Sequence, residues 1–118
     1  MSEQFGTAHW PVEIRLKSAE KILEVDFDDG RKFRFPAEYL RVESPSAEVQ
    51  GHGPGQKTIV AGRAAVGIMA LEPVGNYAVR IVFDDGHDTG LYSWDYLHEL
   101  GRDHNKKWAA YREAVRSK

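Results

Sequence analysis

Hydrophobic and polar residues alternate along two separate regions of the chain, and each region predicts a short series of β-strands. In the first, Trp10, Val12, Ile14 and Leu16 fall on one predicted face, and Pro11 near the start indicates an edge strand. In the second, Pro73 and Gly75 predict the end of a strand that begins near Val66. The predicted strands are residues 10–16, 22–27, 31–35, 66–71, 77–83 and 87–92.

The two regions resemble each other, which predicts a domain built from two similar units. Residues 28–30 and 84–86 both read Asp-Asp-Gly, a sequence typical of a tight hairpin, and each follows a phenylalanine, Phe27 or Phe83. Tyr-Leu then recurs within residues 36–40 and 93–97. Because neither unit could bury an apolar face alone, we expect the two to share one core.

Capping residues predict helices after each unit. Pro36 suits the first helical position of a short turn, and Ser93 suits the N-cap of a helix over residues 94–100 that ends at Gly101. Asp103 is expected to cap a last helix that ends near Val115. The predicted fold is α+β: a small antiparallel β-sheet domain of two Asp-Asp-Gly hairpin units with a C-terminal pair of helices. Residues 1–9 are predicted to form a flexible tail, and residues 10–118 a single domain.

Residues 44–56 join the two units and predict an exposed functional loop. The run is rich in Gly and Pro and nearly free of apolar side chains, so we expect it to lie on the surface. Its polar side chains can bind a ligand or a partner, and two residues outside it are expected to lie nearby. The candidate binding residues are Ser44, Ser46, Glu48, Gln50, His52 and Gln56 in the loop, with Asn76 and Trp94 as neighbours.

Composition excludes several classes of function. A length of 118 residues is enough for one core, and a net charge of −2 gives no general attraction to nucleic acid or to an anionic membrane. The chain has no cysteine, which excludes thiolate zinc sites, iron–sulfur clusters held by cysteine and cysteine nucleophiles. The N-terminus has no signal-peptide pattern, so we expect a cytoplasmic protein.

Histidines leave a metal site open as an alternative. His52 and His87, together with carboxylates, could hold iron or zinc, because two histidines and a carboxylate form metal sites with open positions. The paired carboxylates of the Asp-Asp-Gly turns could also bind a cation, but turn formation explains them better. No serine has the sequence context of an activated nucleophile.

Several longer motifs resemble a known family. Leu-Arg at 40–41, the run at 44–53, Glu-Pro-Val-Gly-Asn-Tyr at 72–77 and the run at 83–94 resemble a family of small bacterial proteins of unknown function. That family is similar to the N-terminal domain of gamma-butyrobetaine hydroxylase. The resemblance covers about residues 10–113.

In the related oxygenases, the resemblance implies a structural zinc held by three cysteines after the Leu-Arg pair and by one downstream histidine. Here the histidine position falls on His87, and the cysteine positions fall on or near Ser44, Ser46 and Val49. The resemblance therefore supplies one ligand of four and predicts that this zinc site is lost. The iron and 2-oxoglutarate residues of those oxygenases lie in a separate domain that this sequence does not contain, so no enzymatic activity is expected.

The similar domain is also appended to some nucleotide-binding iron–sulfur carrier proteins. The resemblance thus favours a non-catalytic accessory or binding module with a protein partner, in iron–sulfur or metal-related interactions. The alternative is a metal-binding protein that uses His52, His87 and carboxylates to hold iron or zinc. Neither nucleic acid nor membrane is an expected partner.

Overall fold

A computed structural model describes residues 8–51 and 55–117. Most of these residues belong to six strands and four helices, and a short 3₁₀ turn at Ser18–Glu20 joins the first two strands. The strands are β1 Pro11–Lys17, β2 Ile22–Phe27, β3 Lys32–Pro36, β4 Ile68–Val74, β5 Ala78–Phe83 and β6 Leu91–Ser93. The helices are α1 Ala37–Val42, α2 Ala47–Gln50, α3 Trp94–Arg102 and α4 His104–Arg116.

The strands form two antiparallel sheets of three strands each, in the orders β1-β2-β3 and β4-β5-β6. The first and second strands of each sheet pair with a register shift at the same place. Pro11 pairs with Phe27 before the shift in one sheet, and Ile68 pairs with Phe83 before the shift in the other. The α+β class and the C-terminal helices are confirmed, and the two sheets repeat one local design.

The first aspartate of each Asp-Asp-Gly turn binds the segment that precedes the neighbouring strand. Asp28 accepts the backbone N–H of Trp10 at 3.3 Å, and Asp84 accepts that of Gly67 at 2.9 Å. These bonds satisfy backbone donors at the end of a ladder, where no strand partner is available. The predicted turn role of these aspartates is therefore confirmed.

The second aspartate of each turn binds the residue that follows the glycine. One carboxylate oxygen of Asp29 accepts from the backbone N–H of Arg31 at 2.9 Å, and Asp85 accepts from that of His87 at 3.1 Å. In both turns this bond uses only the Oδ1 atom. The Oδ2 atoms of Asp29 and Asp85 remain directed at side chains elsewhere in the fold.

The two sheets bury one common core. Phe27 and Phe83 belong to the same cluster of buried side chains, with exposures of 2% and 1%. The hydroxyl of Tyr92 in that cluster donates to the carbonyl of Leu40 at 2.5 Å, and so ties the second sheet to α1. The remaining members are Leu23, Val25, Phe35, Ala37, Tyr39, Leu40, Val66, Ile68, Val79, Ile81, Trp94, Leu97 and Leu100.

Strand β1 differs from the prediction that apolar side chains of residues 10–16 all face the core. Val12 is 67% exposed and Ile14 is 37% exposed. The register shift between Pro11 and Glu13 interrupts the alternation, because a bulged residue has no partner in the opposite strand. The strand lies at the edge of its sheet, as predicted. Because β2 is its one neighbouring strand, its side chains are covered less than those of a central strand.

Two predicted element ends are also wrong. Pro73 does not end β4, which continues to Val74, because β4 is an edge strand and the missing N–H of proline costs no ladder bond on its open side. Gly101 does not end α3, because it lies inside the helix against Phe33. A Cβ atom at Gly101 would meet the Phe33 ring at 2.3 Å, so close packing rather than helix termination explains this glycine.

The last predicted strand is shorter than expected. Only Leu91–Ser93 forms β6, and residues 87–90 follow the turn without ladder pairing. Ser93 caps α3 as predicted, since its hydroxyl accepts the N–H of Tyr96 at 3.0 Å. None of the helices in the described parts of the chain is long and apolar enough to cross a bilayer.

Candidate functional site

A polar cluster around a buried histidine lies where the first unit passes into its connection to the second. His87 is 5% exposed, and its two ring nitrogens contact different side chains. Nε2 lies 2.8 Å from the hydroxyl of Ser44, and Nδ1 lies 3.1 Å from a carboxylate oxygen of Glu48. We call Ser44, Ser46, Glu48, His87 and Thr89 the Ser–His cluster.

The serines of the cluster also shape the backbone. The hydroxyl of Ser44 accepts the N–H of Ser46 at 3.2 Å, and the hydroxyl of Ser46 accepts the N–H of Glu48 at 3.1 Å, which caps α2. Ser46 also bonds the hydroxyl of Thr89 at 2.7 Å. These contacts join the start of the connection to the segment after the second Asp-Asp-Gly turn.

Gly90 permits this close approach. A Cβ atom at this buried position would lie 2.5 Å from the hydroxyl oxygen of Ser44, which is closer than a Cβ atom approaches a neighbouring heavy atom. The backbone therefore fits against the cluster only without a side chain. This close approach gives Gly90 a packing role beside Ser44.

Burial keeps the cluster histidine neutral. Desolvation lowers the pKa of His87, and the nearby Arg41 guanidinium lowers it further, whereas Glu48 opposes the shift. Burial alone would raise the pKa of Asp85, yet hydrogen bonds from the His87 backbone and from Arg41 lower it overall. His87 is thus a neutral imidazole, and Asp85, two residues before it in the second turn, is an ionised carboxylate.

Arginines balance that carboxylate. Arg41 donates from Nε to the Oδ2 atom of Asp85 at 2.8 Å, and its side chain is itself almost fully buried. The Nε atom of Arg63 lies 2.8 Å from the same oxygen, an ion-pair contact whose angle does not suit a hydrogen bond. These contacts attach Arg41 of α1 and Arg63 to the second turn.

The structure brings together three of the positions that the resemblance relates to zinc ligands. Ser44 and His87 are in contact, and Ser46 is bonded to the hydroxyl of Ser44. Val49 is buried at 2% exposure. Neutral hydroxyls and a valine are not the thiolates that a structural zinc site uses, and hydrogen bonds among them satisfy the cluster. Metal binding by His87 stays a prediction, and His52 lies outside the described residues.

The first half of the connection is not the exposed loop that the sequence predicts. Ser44 has no exposed surface, and α2 forms over residues 47–50, where Gln50 donates to the carbonyl of Ser44 at 2.8 Å. Polar residues become buried here because they hydrogen-bond to one another. Glu48 and Gln56 are exposed, so the binding prediction for these two residues concerns accessible side chains.

The two predicted neighbours lie apart from the cluster's contacts. Trp94 is 9% exposed and donates from its indole to the carbonyl of Asn76 at 3.0 Å. This bond fixes the turn between β4 and β5 against the start of α3. The side chain of Asn76 is on the surface, and its predicted binding role stays a prediction.

Residues 55–65, which we call the surface segment, follow α2 without regular secondary structure. Long-range hydrogen bonds hold them in place. The N–H of Thr58 donates to the carbonyl of Val49 at 2.6 Å, and Lys57 donates to the buried Glu43 at 2.7 Å. Tyr111 of α4 donates to the carbonyl of Val60 at 2.7 Å. The sequence does not predict this arrangement, since the partners are distant in sequence and leave no local pattern.

A groove runs between the surface segment and α4. It has a volume of about 600 Å³, and we call it the α4 groove. Trp108 and Tyr111 form part of its wall, with their rings stacked at 5.1 Å between centroids. Three of its lining residues are arginines and one is a glutamate. The other lining residues are Glu38, Gly62, Arg63, Ala64, Arg112, Val115 and Arg116.

Comparison with solved structures finds relatives that match most of the chain. Two are described only as NMR solution structures of a protein. They are 44% and 45% identical, each with a TM-score of 0.80, and cover 92% and 99% of this chain and 86% of their own chains. A crystal structure from Acidithiobacillus ferrooxidans ATCC 23270 is 41% identical, with a TM-score of 0.65, and covers 77% of this chain and 91% of its own. It is described as a protein with unknown function of the DUF971 family.

A search of the curated proteins finds no match. Comparison with protein families matches residues 14–98 to the family described as gamma-butyrobetaine hydroxylase-like, N-terminal. The match includes both Asp-Asp-Gly turns and the whole Ser–His cluster, and it confirms the resemblance seen in the motifs. This chain belongs to the gamma-butyrobetaine hydroxylase-like N-terminal family.

Proposed function

We propose that this chain is a non-catalytic binding module that presents the surface segment and the α4 groove to a protein partner. The observation that carries the proposal is that residues 55–65 are largely exposed yet held by hydrogen bonds to Glu43, Val49 and Tyr111. A segment that is already ordered loses less conformational entropy on binding than a flexible loop does. Exposure combined with fixed shape is what a recognition surface requires.

The side chains of the groove suit protein recognition. Trp, Tyr and Arg are the residue types that contribute most to binding energy at protein interfaces, and the groove contains Trp108, Tyr111 and Arg112. With three arginines against Glu38, the lining favours a partner segment that carries acidic and apolar side chains.

The Ser–His cluster supports a structural rather than a catalytic role. His87 is buried, and both of its ring nitrogens contact protein side chains, so no ring nitrogen faces a cleft where a substrate could bind. A general base must reach the proton that it removes. The cluster instead holds α2 in place, and α2 in turn accepts a hydrogen bond from the surface segment at Val49.

The resemblance to domains appended to iron–sulfur carrier proteins guides the choice of partner. We propose a protein that handles iron–sulfur clusters or metals as the class of partner to test first. The alternative of iron or zinc held by His52, His87 and carboxylates has less support, because Ser44 and Glu48 already occupy the ring nitrogens of His87.

Affinity capture with paired charge reversals tests the proposal. Arg112→Glu places a negative charge in the groove, whereas Lys106→Glu makes the same change on α4 outside its lining. We expect Arg112→Glu to weaken binding of the captured partner at least tenfold, or about 1.4 kcal/mol, and Lys106→Glu to leave it unchanged. Gln56→Ala tests the surface segment in the same assay.

Purified partner and chain should then be titrated calorimetrically with each variant. Equal affinity of wild type, Arg112→Glu and Gln56→Ala for every protein recovered would contradict the proposal.

A further inference from the structure

Two histidines and an aspartate meet at the first Asp-Asp-Gly turn, and none of the three belongs to the Ser–His cluster. His9, Asp29 and His98 each offer one ligand atom, and these atoms lie within 4.8 Å of one another. The group unites the start of the described chain, the β2–β3 turn and α3. We propose that His9, Asp29 and His98 form a binding site for a divalent transition-metal ion such as Zn²⁺.

The distances are close to those that one ion requires. Metal–ligand bonds of about 2.0–2.2 Å allow two ligands on one ion to be separated by at most about 4.2 Å. The Nε2 atom of His98 lies 2.8 Å from an oxygen of Asp29, a spacing suited to adjacent ligands. The imidazole rings of His9 and His98 are stacked at 3.6 Å with 14° between their planes, so the partly exposed His9 ring must rotate out of this stack to direct its lone pair at the same ion.

A second carboxylate orients the first histidine. Nδ1 of His9 lies 3.1 Å from an oxygen of Asp95, which also accepts the backbone N–H groups of Ala8 and His9. A carboxylate that accepts a hydrogen bond from one ring N–H leaves the lone pair of the other ring nitrogen free to bind a metal, as in carboxylate–histidine–zinc arrangements. Asp95 therefore fixes the ring form in which Nε2 of His9 is a ligand.

The surroundings of His98 provide a rigid ligand. This side chain is 5% exposed, and its ring packs against the edges of Phe27 and Phe33. Its Nδ1 atom is buried and has no hydrogen-bond partner among the described residues, so Nε2 is the nitrogen of this ring that faces Asp29. His9 and Asp29 are partly exposed, with side-chain exposures of 33% and 38%, which gives an ion a route from solvent.

Comparison of the two units supports a cation at this place. In the second unit, the Oδ2 atom of Asp85 is balanced by the guanidinium groups of Arg41 and Arg63. In the first unit, the equivalent oxygen of Asp29 faces His98. The first unit thus places a histidine ring where the second unit has two guanidinium groups.

Zinc titration of the full chain, purified without a histidine tag and with metal removed, tests the site. We expect one equivalent of Zn²⁺ to bind and to raise the thermal midpoint. His9→Ala and Asp29→Asn change partly exposed side chains and should each weaken Zn²⁺ binding at least tenfold. His52→Ala removes the histidine of the alternative metal site and should leave the affinity unchanged.

Nitrogen-15 NMR of the histidine rings gives a second readout that needs no variant. Bound Zn²⁺ should move the ring signals of His9 and His98 and leave those of His87 unmoved. The proposal is overturned by no Zn²⁺ binding, by binding that His9→Ala and Asp29→Asn leave intact, by ring signals of His9 and His98 that do not respond, or by an equal loss in His52→Ala.

Discussion

Replacing Phe83 by alanine is expected to lower the free energy of unfolding by about 3–5 kcal/mol, the usual cost of removing a buried phenylalanine. The side chain is 1% exposed and packs in the cluster that both sheets share. Because a domain of this size is stable by only about 5–15 kcal/mol, this loss is a large part of the total. Chemical denaturation followed by tryptophan fluorescence and far-ultraviolet circular dichroism measures the change.

Phe27→Ala is the matched change in the other sheet, at the equivalent position before its turn. Since Phe27 and Phe83 belong to one core, each variant should still unfold in a single transition that both probes report at the same denaturant concentration. Separate transitions for the two probes in either variant would contradict a shared core.

Gly101→Ala is expected to destabilise the protein by about 1–3 kcal/mol, the typical cost of overpacking a filled site. Helix propensity alone predicts the opposite sign, because alanine is favoured over glycine in a helix by about 1 kcal/mol. The added Cβ would lie 2.3 Å from the ring of Phe33, so either the ring or α3 must shift. Denaturant unfolding of this variant therefore decides between packing and propensity.

A double-mutant cycle isolates the cause. In a Phe33→Ala background the ring that the new methyl group meets is gone, so Gly101→Ala should become neutral or stabilising. The same loss in both backgrounds would show that contact with Phe33 is not the reason for the glycine.

The sequence pattern predicts those parts of the fold that depend on local chemistry. The repeated Asp-Asp-Gly turns, the Ser93 cap and the burial of Phe27 and Phe83 follow from neighbouring residues and are confirmed. The predictions for Val12 and Gly101 are wrong because a bulge determines the exposure of Val12 and the ring of Phe33 determines the place of Gly101. Those features depend on tertiary contacts, which periodicity does not encode.

The sequence likewise predicts only part of the candidate site. The motifs of the resemblance relate Ser44, Ser46 and His87 to one site, and the structure places them in contact. The bond from Tyr111 to Val60 joins residues 51 positions apart, and His9 and His98 come from opposite ends of the chain. Neither pairing leaves a spacing that could be recognised in the sequence before the fold is known.

We propose that hydrogen bonds, without a metal, hold the surface segment in a fixed shape for a partner. Backbone ¹⁵N relaxation of the metal-free chain, measured in chelator, tests it most directly. We predict order parameters close to the rigid-backbone value of about 0.85 at Thr58 and Val60, whose backbone groups bond to Val49 and Tyr111. Values below about 0.6 throughout residues 55–65 would contradict the account.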